Sequence, residues 1–102
     1  MIMTRGRRHL ERLIDRQGAT AFEKKVWKAL LAIPPGSVRT YAWVAKKIGH
    51  PKACRAVGNA LNKNPLAPMV PCHRVIASNG IGGYAGGVEK KRRLLEREGV
   101  FL

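Results

Sequence analysis

Cys72 and His73 are adjacent in the run Pro71-Cys72-His73-Arg74-Val75, and a thiol beside an imidazole, preceded by a rigid proline segment, is the raw material of an activated nucleophile. The thiolate is the attacking form, and a neighbouring base or positive charge favours it. Adjacency in sequence is not contact. Side chains at consecutive positions diverge, so His73 would need a bridging water to take the Cys72 proton. The competing reading is a structural cysteine followed by a surface histidine, and spacing alone leaves both open. A carboxylate comes from the end of the chain: on a helical wheel Val88, Leu94 and Leu95 define an inward arc, and Glu98 falls between the two leucines. A carboxylate on a buried side needs a partner. His73 would supply one, and the contact would orient the imidazole; the alternative is a frayed helix end with Glu98 in solvent.

Several elements must hold these groups. Thr20-Ala21-Phe22-Glu23 reads as a capping box opening a helix over about 21 to 33, with Phe22, Val26, Leu30 and Ile33 on one stripe and Trp27 and Leu31 widening it. Upstream, residues 5 to 16 can form a basic helix with Leu10, Leu13 and Ile14 on one face and five arginines, for which docking, DNA contact and fraying are all open. Pro34-Pro35-Gly36-Ser37 turns the chain into a short extended segment, Val38-Arg39-Thr40. Thr40 can cap a helix through about Ile48, stopped by Gly49, and Pro51 suits the first turn of the next, about 51 to 62. The pair is a helix-turn-helix candidate. On its second helix Ala53, Cys54, Val57, Ala60 and Leu61 take one side, where Cys54 reads as a small buried residue; Lys52, Arg55, Asn59, Asn62 and Lys63 take the other. Ala56 and Gly58 flank that polar surface, and their lack of bulk would let the backbone approach a groove wall. An ordinary amphipathic surface helix gives the same pattern.

Asn64 to Pro71, with three prolines, is a stiff segment that holds the Cys72-His73 pair in a fixed position. That pair then leads into a strand, Ser78-Asn79-Gly80 turns, and glycines on both sides of Tyr84 make a loop whose backbone can approach a ligand. A last helix runs from about 88 to 98, with Gly99 as its stop.

The charge is one-sided. Twenty Lys and Arg stand against 6 acids, a formal net charge of +14, and no Asp or Glu occurs between Lys24 and Val88. Such a stretch attracts a polyanion, and nucleic acid is the commonest partner for so basic a domain. At 102 residues there is room for one core. No apolar run approaches the roughly 18 residues of a membrane span, no apolar signal segment follows Met1, and no long helix combines a basic face with an exposed aromatic one. Two cysteines without a CxxC pair argue against a disulfide framework or zinc. The expectation is a reduced, metal-free protein without membrane contact, cytoplasmic and nucleoid-associated, or nuclear in a eukaryote.

The blocks Arg55-Ala56-Val57-Gly58-Asn59-Ala60, Asn64-Pro65, Pro71-Cys72-His73-Arg74-Val75, Gly83-Tyr84-Ala85-Gly86-Gly87, Leu94-Leu95 and Glu98-Gly99, in this order and spacing, resemble the O6-alkylguanine-DNA alkyltransferase family over residues from about 20 to 99. The resemblance implies a winged helix-turn-helix-like domain, mainly α with a small β component, spanning 20–102 behind a basic extension of 1–19. It implies direct-reversal repair: a monomer binds double-stranded DNA in the minor groove, flips O6-alkylguanine (or O4-alkylthymine) out of the stack, and takes the alkyl group irreversibly onto Cys72 without a cofactor. Matched position by position, His73 is the water-mediated base, Glu98 its orienter, Asn64 the hinge of the active-site turn and Tyr84 a donor to the guanine ring. The Ala85 amide matches a donor toward O6, and the Cys72 and Val75 carbonyls match acceptors from the guanine amino group. Arg55 matches the residue that fills the vacated stack, Tyr41 the one that crowds the 3′ phosphate, and Thr40, Lys52, Ala56, Gly58 and Asn59 lie on the DNA-facing surface.

The departures are also informative. Ala85 stands where many members have serine, and full-length members often carry a further N-terminal domain to which nothing here corresponds. Two other functions fit the same motif: an alkyltransferase-like lesion binder without catalysis, which in that group lacks the acceptor cysteine retained here, and a winged-helix transcription regulator. A cysteine hydrolase is weaker, since no oxyanion-hole pattern accompanies Cys72.

Overall fold

Thr20 opens the central helix with the reciprocal bonds its spacing predicts. Its hydroxyl accepts from the Glu23 amide at 3.1 Å, and the Glu23 carboxylate accepts from the Thr20 amide at 3.0 Å. In the computed structural model, which describes residues 2–102, this is helix α2 (Ala21–Leu30), preceded by α1 (Ile2–Asp15). Strand β1 (Arg39–Thr40), helices α3 (Tyr41–Lys47) and α4 (Cys54–Asn62), a 3-10 turn (Cys72–Arg74), strand β2 (Val75–Ile76) and helix α5 (Val88–Arg97) come after it in the chain. The fold is mainly helical with a small β component, as the resemblance implies.

Val26, Trp27, Leu30 and Ile33 are buried, and Phe22 and Leu31 pack against them. The regular helix stops at Leu30, three residues earlier than the stripe predicts. Residues 31–33 continue in tighter bonds, Ile33 N to Leu30 O at 3.0 Å among them, because the prolines at 34 and 35 cannot extend an α-helical ladder. The Trp27 indole donates to the Ala60 carbonyl at 2.8 Å, which fastens α4 to the central helix.

Helix α1 docks. Ile14 is fully buried in the common core. Lys28 pairs with the Asp15 carboxylate at 2.7 Å, and Lys24 donates to the Asp15 carbonyl at 2.9 Å. Arg7, Arg8, Arg12 and Arg16 remain exposed; Met1 and the side chain of Arg5 lie outside the described residues.

The helix-turn-helix forms with a shifted start to its second helix. Thr40 caps α3, its hydroxyl accepting from the Trp43 amide at 3.1 Å, and Gly49 takes the left-handed conformation (φ 83°) that stops it. Pro51 does not open α4. It sits second in a turn closed by Ala53 N to His50 O at 2.9 Å, a position that its fixed φ suits equally well. α4 therefore begins at Cys54, and this corrects two expectations. Ala53 is half-buried as the cap residue, and Cys54, in the uncovered first turn, is exposed rather than buried. Val57, Ala60 and Leu61 keep the predicted inward side, while Lys52, Arg55, Ala56, Asn59, Asn62 and Lys63 are exposed.

The two short strands pair in parallel, Arg39 with Val75 and Thr40 with Ile76. Two residues each suffice to bring the start of the helix-turn-helix beside the turn at Cys72–Arg74. Cys72 to Arg74 is a 3-10 turn rather than the head of a strand, since Arg74 N bonds to Pro71 O at 3.0 Å. Gly82 has φ 74°, and a Cβ there would meet the Tyr41 hydroxyl at 2.9 Å, so only glycine allows this loop to close on α3.

The docking of α1 has a measurable cost of removal. Ile14→Ala should destabilise the protein by about 2–4 kcal/mol, the usual range for a fully buried aliphatic truncation. Urea unfolding checks it, and a loss under about 1 kcal/mol would mean that α1 adds nothing to the core.

Candidate active site

The 3-10 turn presents Cys72 and His73 in different directions. Cys72 retains 6% of its surface and lines a cavity of about 180 Å³, open on one side, together with Tyr41, Gly58, Asn59, Tyr84 and Ala85. His73 turns inward and is 1% exposed. Its Nε2 lies 3.1 Å from a Glu98 carboxylate oxygen. An ionised carboxylate only accepts, so the proton belongs on Nε2 and Nδ1 carries the lone pair. Nδ1 is buried and bonds to no protein group.

Glu98 is the C-cap of α5, followed by Gly99 at φ 87°, so the helix ends in an ordered cap rather than a frayed one. Arg74 grips its carboxylate with two bonds, Nε at 2.9 Å and Nη2 at 2.6 Å, and its third arm donates to the Ile33 carbonyl at 2.8 Å. The guanidinium, and after it His73, holds the Glu98 carboxyl below the ordinary carboxylate range against the opposing effect of burial. Burial pushes the His73 imidazole down despite Glu98, so it is neutral at neutral pH and able to accept a proton.

Burial also pushes the Cys72 thiol up, while Asn64, Tyr84 and the charge of Lys91 pull the other way. The sulfur therefore needs help to ionise. Asn64 spans its segment, donating to the Val70 carbonyl at 2.8 Å and accepting from the Leu66 amide at 2.9 Å, which fixes the approach to the 3-10 turn. The Tyr84 hydroxyl is raised to about 12, by burial first and then by Cys72, and so remains a donor throughout the neutral range.

Of the residues singled out in the sequence, Cys72, Tyr84, Ala85, Tyr41, Gly58 and Asn59 meet at the cavity, while His73 in the 3-10 turn pairs with Glu98, and Asn64 ties down the segment before that turn. Arg55, Ala56 and Lys52 lie on the exposed side of the helix-turn-helix, outside the cavity. The Thr40 hydroxyl is occupied as the α3 cap. The Val75 carbonyl already accepts from Lys91 at 2.6 Å. Val88 is 40% exposed, which corrects its expected inward position: it begins α5, a turn before that helix meets the core. Sequence reasoning assigned no role to Arg74 or Lys91. Lys91 lies four residues before Leu95 on the same helical face, so the wheel held the signal.

Residues 21–100 match the family described as 6-O-methylguanine DNA methyltransferase, DNA binding domain. The chain belongs to this family. Among curated members, the methylated-DNA--protein-cysteine methyltransferase of Methanosarcina acetivorans is 58% identical over 81 residues, covering 78% of this chain and 52% of that protein. The chain spans about half the length of the curated relatives it matches. The Mycobacterium tuberculosis OGT crystallised in complex with DNA superposes with a TM-score of 0.77 at 54% identity, over 78% of this chain and 50% of that one. Atl1 of S. pombe, crystallised with damaged DNA containing O6-carboxymethylguanine, gives 0.71 at 38% identity, over 82% of this chain and 81% of that one. Among the described residues no helix is long and apolar enough to cross a membrane, and no cluster of three or more His, Cys, Asp or Glu could hold a metal ion.

The Glu98 ion pairs give the family site an acid limit. Because the native carboxyl ionises below its unfolded value, their contribution to stability is complete above about pH 4.3 and is lost as pH falls through the native value. The acid side of a plot of urea midpoint against pH should be shallower for Glu98→Gln than for the parent. Identical slopes would show that the carboxylate is not held as described.

Proposed function

We propose that this domain, residues 20–102 behind the basic segment 1–19, repairs alkylated DNA by moving the alkyl group of O6-alkylguanine, and of O4-alkylthymine, onto Cys72. The observation that carries this reading is the Cys72 sulfur on an open cavity beside the exposed face of α4, with a neutral His73 and its Glu98 orienter behind it. The protein works as a monomer in the compartment that holds the DNA. The cation-rich face of the helix-turn-helix binds the minor groove, Arg55 fills the stack vacated by the flipped nucleotide, and Tyr41 crowds the neighbouring phosphate.

In the chemical step the Cys72 proton passes through water to His73 Nδ1, whose Nε2–H remains on Glu98. The thiolate attacks the alkyl carbon; the S–C bond forms as the C–O6 bond breaks, and the electron pair leaves with guanine. Tyr84 and the Ala85 amide donate to the charge growing on the departing base, which takes up a proton to end as guanine. The product is a thioether with no easy way back, so each molecule acts once and needs no cofactor.

A second reading has its own support. Atl1, crystallised with damaged DNA, is matched over 81% of its length, whereas the methyltransferases are matched over half. On that reading the domain binds lesions without transfer. Intact mass after mixing with O6-methylguanine duplex separates the two: one methyl gained on Cys72, and none by Cys72→Ser, supports transfer, while tight binding with no mass gain supports the lesion binder.

Arg55→Ala should slow repair of the duplex by about 10-fold or more and leave the reaction with free O6-benzylguanine near the parent rate, since only the duplex needs extrusion. Equal losses on both substrates would remove Arg55 from the flipping step.

A further inference from the structure

Lys91 is the one lysine or arginine among the described residues that is fully buried. Its ammonium donates to the Val75 carbonyl at 2.6 Å and to the Gly83 carbonyl at 2.9 Å. No carboxylate among the described residues pairs with it. A buried cation held only by carbonyl dipoles is costly, and it is retained where an anion forms nearby.

The groups around it are few. From the acceptor turn its charge reaches Cys72, whose thiolate it favours, and His73, whose protonated form it disfavours. From the loop Tyr84 is the ionisable group, and it stays a neutral phenol. Glu98, at the end of the same helix, is already taken by Arg74 and His73. Cys72 is thus the one group whose ionisation would supply Lys91 with a counter-charge.

Resting on the reading of Cys72 as acceptor, we propose that Lys91 is a positioning residue for transfer: it ties strand β2 to the Tyr84 loop and is the buried counter-charge of the Cys72 thiolate. Of the two carbonyls it grips, one belongs to Val75, which follows the Cys72–Arg74 turn, and the other to Gly83, which lines the cavity at the start of the Gly83-Tyr84-Ala85 loop. One bond from Lys91 leaves Val75 a second lone pair, now fixed in direction, for the guanine amino group that the family resemblance assigns to it. Burial lowers the Lys91 amine to about 8 and the negative form of Cys72 raises it, so the two protonation equilibria are reciprocal.

The test reads the thiol without DNA, so it can fail while transfer itself succeeds. In a Cys54→Ser background, in which Cys72 is the sole thiol, carboxamidomethylation by iodoacetamide is followed against pH. Lys91→Met, which keeps the length and loses the charge, should slow the reaction about tenfold near neutral pH by moving the thiol midpoint up about one unit. Lys91→Arg should restore part of that rate. A folded Lys91→Met protein that reacts within about twofold of the parent overturns the proposal. Should Lys91→Met not fold, the reciprocal measurement decides: by NMR titration of the Lys91 Nζ group, Cys72→Ser should lower its midpoint by about half a unit or more, and an unchanged midpoint overturns the counter-charge role.

Discussion

Everything at the site hangs on one carboxylate. Glu98 closes α5, accepts from His73 and is clamped by two bonds from Arg74, whose remaining arm reaches the end of the central helix at Ile33. A single anion thereby joins the last helix, the 3-10 turn and the end of the central helix. Buried ion pairs repay their desolvation only when geometry is good and the other polar atoms are satisfied; here both carboxylate oxygens and three guanidinium nitrogens are engaged. The same contact sets the imidazole tautomer, so architecture and proton chemistry are the same interaction.

The electrostatics divide the molecule. Acids are absent between Lys24 and Val88, which leaves the helix-turn-helix and the 3-10 turn in a stretch of chain whose charges are all positive. Glu98 enters that region from the far end and pairs with Arg74, so the two together add little to the outward field. Inside, a hydrophobic environment raises the thiol and lowers the imidazole. Burial thus opposes the charged form of both groups.

Much of this was legible in the residues. The capping box at Thr20, the apolar stripe of α2, the glycine stop at Gly49 and the Glu98-His73 approach all follow from local rules or a wheel, and they hold because local propensity and tertiary packing agree. The start of α4 did not, since Pro51 satisfies a helix's first turn and a β-turn's second place equally, and the competition is decided by the Ala53-His50 bond. That misplacement carried Cys54 to the wrong face. Lys91 and Arg74 escaped because charge is an unreliable guide to exposure where carbonyls or a carboxylate wait inside. The parallel pairing of two dipeptides that sets Tyr41 beside the 3-10 turn is too short to leave any periodic trace.

The indole bond from Trp27 to the Ala60 backbone gives the molecule a built-in optical gauge. Trp27 is almost wholly enclosed, whereas Trp43 lies half-buried under the cations of Arg39 and Lys47. The two fluorophores therefore report on different things. Light from the first senses any shift of α4 against its support, and light from the second senses whatever draws those two cations away.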